Sequence, residues 1–251
     1  MKTVILFGAI LVSAATAIAQ NSTNLKGKNT ATGVSPKPDL KSSHLAVFEQ
    51  ARLLGDGPTV ITSLNYLIAS DPMKYGGYAD TLAQVYLNMG YYLQCNNLAS
   101  ILLQSAPNKE SLLAMRATSL RELNQTSEAA DLYNRLFQQT RNFRYGLELA
   151  QLQLTLQRLP ELHASADALL AMTIKSEEKV AVPTPDNKAT EQIPVKNFVH
   201  YLKALAFNAA KDKEKAVAQV EAALQGTEVF SLAKAALDTL KQPEASAPDK
   251  K

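Results

Sequence analysis

The stretch Leu82-Ala83-Gln84-Val85-Tyr86, followed by Gly90 and closed by Pro107, decides the fold. A second copy of its pattern reads Arg116-Ala117-Thr118-Ser119-Leu120, ahead of Asn124 and Ser127-Glu128-Ala129-Ala130. A third reads Lys203-Ala204-Leu205-Ala206-Phe207, ahead of Lys215-Ala216-Val217-Ala218. Ala83 to Ala117 is 34 residues, and Cys95 to Ala129 is again 34. A fixed period of this length marks stacked supersecondary units, none of which can bury its apolar face alone.

Working outward, Ala79, Leu82, Ala83 and Tyr86 fall on one helical stripe. Beyond the break at Gly90, Tyr92, Cys95, Leu98, Ala99 and Leu102 form a second. Upstream, Leu45, Phe48 and Ala51 precede the breaker Gly55-Asp56-Gly57-Pro58, and Val60, Leu64 and Leu67 follow it up to Asp71-Pro72. Downstream, Leu113, Ala117 and Leu120 pair with Ala129, Leu132, Tyr133 and Leu136. A fourth unit holds Leu147, Ala150 and Leu154, then Leu162, Ala166 and Leu169 after Pro160. Ala117 to Ala204 is 87 residues where two units would take 68, so 19 residues are extra. Residues 175–195 carry Pro183, Pro185 and Pro194 among small polar and charged residues, and they are expected to form a loop insertion. Deleting 178–192 is then expected to leave the melting temperature nearly intact. After the fifth unit, Val229, Leu232, Ala233, Ala236, Leu237 and Leu240 make one amphipathic helix that caps the stack.

The chain ends read differently. Lys2, the apolar run Val4 to Val12, and Ala17-Ile18-Ala19 before Gln20 have the form of a secretory signal over residues 1–19. Its apolar stretch is short for a span, which needs about 20 residues. An exported chain without a stable membrane span is expected, in the periplasm of a bacterial envelope or outside the cell. Residues 20–42 read as a disordered polar leader, 43–241 as the solenoid, and 242–251 as a disordered tail. Hydrophobic residues are 46% of the 251, enough for a sizeable core, and the net charge of +3 is too small and dispersed to indicate nucleic acid. The one cysteine, Cys95, leaves no internal disulfide; it stands where Ala129 and Ala216 stand in other units and is expected to be a small buried side chain.

These motifs resemble the tetratricopeptide repeat (TPR), a helix–turn–helix unit of 34 residues. The family places a small residue midway along its first helix and a large one three later, here Ala83 and Tyr86, Ala117 and Leu120, and Ala204 and Phe207. Another small residue opens the second helix, here Cys95, Ala129 and Ala216. Small residues sit where helices cross closely, and large ones fill the adjacent groove. The resemblance covers roughly residues 41–226. Phe48 replaces the small residue of the first unit, and Gln151 and His163 fall on the small positions of the fourth. The implied fold is all-α: a right-handed α-solenoid of about five such units plus a C-terminal capping helix.

The resemblance implies a concave face lined by first helices that binds a peptide or protein. Its register places Glu49, Arg52, Gln84, Asn88, Thr118, Arg121, Thr155 and Asn208 on that face. Arg52 and Arg121 are the only cations in the set, so a clamp for a terminal carboxylate is not expected. Tyr66, Tyr75, Tyr78, Tyr86, Tyr91 and Tyr92 cluster, either as groove filling, which the register fixes for Tyr86, or as a binding patch. His44, His163 and His200 have no zinc-type spacing, and no nucleophile, phosphate-binding or dinucleotide motif is present. No enzyme, cofactor or metal is expected. The favoured reading is a non-enzymatic interaction scaffold. The alternatives are an accessory subunit in envelope glycan or polysaccharide handling or envelope-complex assembly, and, further off, a hydrolase.

Overall fold

The computed structural model describes residues 40–175, 177–227 and 229–242. The secretory segment 1–19, the leader up to residue 39 and the tail from 243 lie outside the described residues. The last three leader residues are helical, because the first helix starts at Leu40.

Five helix–turn–helix units follow one another. They are α1 (Leu40–Leu54) with α2 (Gly57–Ser70), and α4 (Ala79–Asn88) with α5 (Tyr92–Ser105). Then come α6 (Glu110–Glu122) with α7 (Thr126–Thr140), α8 (Phe143–Thr155) with α9 (Leu159–Ala171), and α10 (Val195–Ala209) with α11 (Lys213–Leu224). A short α3 (Pro72–Tyr75) and a 3-10 turn (Gly76–Tyr78) lead into α4, and α12 (Ser231–Lys241) packs on α11 as the cap. Each second helix also packs on the first helix of the next unit, which is the stacking expected of an α-solenoid.

One backbone device turns every unit. The residue after the turn donates its N–H back across the helix end: Asp56 to the Ala51 carbonyl (2.9 Å), Tyr91 to Tyr86 (2.8 Å), Gln125 to Leu120 (2.8 Å), Arg158 to Gln153 (2.9 Å) and Asp212 to Phe207 (2.9 Å). The residue before each donor is left-handed: Gly55, Gly90, Asn124, Gln157 and Lys211, with φ between 56° and 76°. This is the Schellman termination, which satisfies helix-end carbonyls. Only two of the five positions use glycine, so the turn is imposed by packing of the flanking helices as much as by local preference.

These turns also give the true period. The left-handed residues are 35, 34, 33 and 54 apart, so the fourth unit is one residue short. That corrects its register. Ala150 (0% exposed), not Gln151, takes the crossing position of Ala83 and Ala117, and Leu162 (0%), not His163, takes that of Cys95 and Ala129. Gly146 lets α7 and α9 approach α8 closely, since an added Cβ would lie 2.8 Å from Leu169 Cδ2 and 2.9 Å from Phe137 Cε2. In the first unit Phe48 (2%) is buried in the corresponding place, beside Tyr78 at 5.4 Å edge-on. Cys95 is fully buried and free, and burial pushes its thiol pKa up.

The insertion is not a loop. Residues 179–194 form an antiparallel hairpin of β1 (Lys179–Pro183) and β2 (Thr190–Pro194), with Val180 opposite Ile193 and Val182 opposite Glu191. Strand alternation puts these four on one face. Val182 (3%) and Ile193 (0%) are buried in a cluster with Tyr201, Phe230 and Ala233. Glu191 accepts hydrogen bonds from the Ser231 backbone N–H (2.8 Å) and the Ser231 hydroxyl, so the hairpin supplies the N-cap that α12 lacks locally. Pro183 and Pro194 sit at strand ends, where a missing N–H is tolerated. The expectation that deleting 178–192 is harmless is therefore reversed.

Candidate functional site

The side chains assigned to the first-helix face fall into separate groups. On α1, Arg52 donates to Glu49 (2.9 Å) at the surface. On α4, Gln84 donates its amide N–H to Asn88 Oδ1 (2.8 Å), one turn on. Thr155 at the end of α8 turns back to the Gln151 carbonyl (3.0 Å). Asn208 lies at the end of α10 and is exposed.

Thr118 and Arg121 belong to a denser arrangement. Thr118 Oγ1 is 3.1 Å from the Tyr133 hydroxyl on α7. Arg121 donates to Glu148 on α8 (2.5 Å) and to Glu122 beside it (2.8 Å). Burial lowers the Arg121 pKa, but the charge of Glu148 and the hydrogen bonds to both carboxylates outweigh it and leave the guanidinium raised above its usual value. Tyr133 is raised by burial and by the Glu148 charge. Tyr145 on α8 donates to Glu110 (3.0 Å), and burial together with that bond pushes its phenol to about 12. The network ties α6, α7 and α8 together, so Arg121 is an inter-unit clip as well as a surface group. Glu148 escaped the sequence reading, yet it lies three residues before Gln151, which in the corrected register is the equivalent of Gln84 and Thr118, and so falls on their face.

In the last unit the equivalent position lines a groove. Leu205 follows Ala204 as Gln84 follows Ala83 and Thr118 follows Ala117, so it occupies the same register position. There the side chain is apolar, and a cavity of about 610 Å³ opens between α10, α11 and α12. Buried and half-buried Tyr201, Leu205, Leu232, Ala236 and Leu240 line its floor, and exposed Asn208, Lys211, Lys213 and Thr239 its rim. Tyr201 is held by Phe230, with ring centroids 5.1 Å apart.

The remaining candidates pack rather than converge. His44 stacks on Tyr66 at 3.9 Å, His163 lies against Phe207 at 4.2 Å, and His200 shares a 2.9 Å hydrogen bond with Gln219. Tyr75 is buried, Tyr78 packs on Phe48, and Tyr86 accepts a hydrogen bond from Asn65 (2.9 Å). Tyr91 alone of the described tyrosines in that cluster is among the exposed large side chains. Among the described residues no group of three or more His, Cys, Asp or Glu could hold a metal ion, and no helix is long and apolar enough to cross a membrane.

No family model and no curated protein matches the chain. Solved structures do. MamA AMB-1 superposes with a TM-score of 0.57 at 16% identity, over 78% of this chain and 96% of that one. MamA MSR-1 gives 0.53 at 14%, over 73% and 94%. MamA from Desulfovibrio magneticus RS-1 gives 0.51 at 13%, over 65% and 82%. At such identities the likeness is one of fold: the chain is an all-α solenoid of tetratricopeptide-like helix pairs with a capping helix, into which a β-hairpin is inserted.

Proposed function

We propose that the protein is an exported, non-enzymatic scaffold that holds a protein or peptide partner on the face formed by its first helices. The observation that carries this reading is a shared register: Gln84, Thr118 and Leu205 each follow the small crossing residue of their first helix, and at Leu205 that position lines a groove. Amides offer donors and acceptors to an extended backbone, and an apolar groove with a polar rim is the usual form of a peptide site. Glu49, Arg52, Gln84, Asn88, Thr118, Arg121 and Asn208 are the proposed contact residues. The N-terminal secretory pattern supports export to the periplasm or beyond.

Substituting Arg121 is a poor test, because it would strand the half-buried Glu148 carboxylate and disturb the fold. Photo-crosslinking side chains at exposed positions avoid this. Placed at Asn88 and Asn208, in cells that make the protein, they should yield adducts with a partner polypeptide. Placed at Asn97, exposed on the second helix α5, they should not. Adducts from Asn97 alone, or from none of the three, would sink the reading.

A further inference from the structure

We infer that the groove between α10 and α12 docks an apolar peptide segment that carries a carboxylate, from another protein. This rests on the scaffold reading and specifies its partner. The floor, from Tyr201 and Leu205 to Leu232 and Ala236, offers apolar surface to bulky side chains. The rim is one-sided in charge. Lys211 and Lys213 line the cavity and, among the described residues, no carboxylate does. Lys213 is committed, donating to the Gln242 carbonyl at 3.2 Å. The Lys211 ammonium and the Asn208 amide have no side-chain partner among the described residues. The cavity thus presents apolar area beside one uncommitted cation and one uncommitted amide. That combination selects a segment with bulky apolar residues and a nearby acid.

Two other occupants fit less well. Residues 243–251 of this chain, Pro-Glu-Ala-Ser-Ala-Pro-Asp-Lys-Lys, have no bulky apolar side chain to meet the floor. A second copy could offer the exposed stripe Leu40, Val47 and Leu54 of α1. The two cations of that helix are paired, Lys41 with Asp71 (3.6 Å) and Arg52 with Glu49 (2.9 Å), and Glu49 is its one carboxylate, so the stripe brings no unpaired acid to Lys211.

The test uses two fluorescein-labelled amphipathic peptides of about twelve residues, with Leu and Phe at helical i, i+4 and i+7 spacing. Glu fills the polar positions of one and Lys those of the other. Fluorescence anisotropy with the full chain should show the acidic peptide binding at least about tenfold more tightly, and more weakly as salt rises. Lys211→Glu should remove that preference while the melt stays unchanged. Leu205→Glu should abolish binding of both, and Asn97→Arg, at an exposed position of α5, should leave it intact. Equal affinity for the two peptides, or indifference to Lys211→Glu, overturns the acidic-partner inference. Sedimentation that shows concentration-dependent self-association lost in Leu205→Glu would assign the groove to a second copy instead, which also overturns it. The scaffold reading stands or falls separately, on the crosslinks from Asn88.

Discussion

Gln153 shows how much one side chain can depart from its repeat. In the corrected register it occupies the place of Tyr86, Leu120 and Phe207, where the groove expects a large apolar group. It is 7% exposed, and its Oε1 has no hydrogen-bond partner among the described residues. A buried, unmatched amide oxygen costs about 1–3 kcal/mol. Replacing it with leucine, as at the equivalent Leu120, removes the orphan and adds apolar burial. Gln153→Leu should therefore raise the midpoint of chemical unfolding, by a stabilisation of about 1 kcal/mol. A lower midpoint would mean that the amide satisfies a group that the geometry does not reveal. Arg121 contrasts with Gln153. It is also drawn out of water, but it is matched by Glu148 and Glu122, and its place on α6 suits clipping consecutive units as well as presenting charge.

The hairpin is the element that most changes the picture. Helices and their turns were legible because apolar residues recur at helical spacing around Ala83, Ala117 and Ala204. Gly90 and Asn124 punctuate them with left-handed residues. The same 34-residue period hid the shortening of the fourth unit, since one missing residue is absorbed by shifting Ala150 for Gln151. The hairpin was illegible for another reason. Val180 and Val182 flank Ala181, and Ile193 is the one large apolar residue among Thr190, Glu191 and Gln192, so neither run shows a clean apolar–polar alternation, and each is only five residues and ends in proline. Proline density reads as loop, although at strand ends it is compatible with pairing. Nor could any local signal show that Glu191 caps a helix 40 residues away in sequence. Glu191→Ala should cost about 1 kcal/mol, the usual effect of removing an N-cap. Deleting 178–192 should cost more, by uncovering Tyr201 and Phe230 as well. Thermal melts of the two variants check the order. A deletion that melts with wild type would show that the hairpin merely rests on the helices.

At the scale of the whole molecule, the core is not one cluster. Phe48, Leu64 and Leu67 centre the first, Ala117, Leu136 and Leu162 the second, and Ile193, Val220 and Phe230 the third. Neighbouring clusters meet through half-buried residues, Tyr86 and Leu98 at one junction and Val180 and Phe198 at the other. In a stack whose units touch only their neighbours, stability is close to a sum of local and interface contributions, so damage at one end stays there. Phe230 is the test. It is 0% exposed, and it touches Tyr201 in the α10 segment while introducing α12. Phe230→Ala should cost about 3–5 kcal/mol locally. Hydrogen exchange followed by mass spectrometry should show protection lost in α10, α11, α12 and the hairpin. Amides of α4 through α7 should keep the protection they have in the wild type. The groove would open in the same variant, so its affinity for the acidic peptide should fall while Asn88 still crosslinks. Uniform loss of protection along the chain would instead make the solenoid a single cooperative unit, and would tie the groove to every repeat rather than to the last.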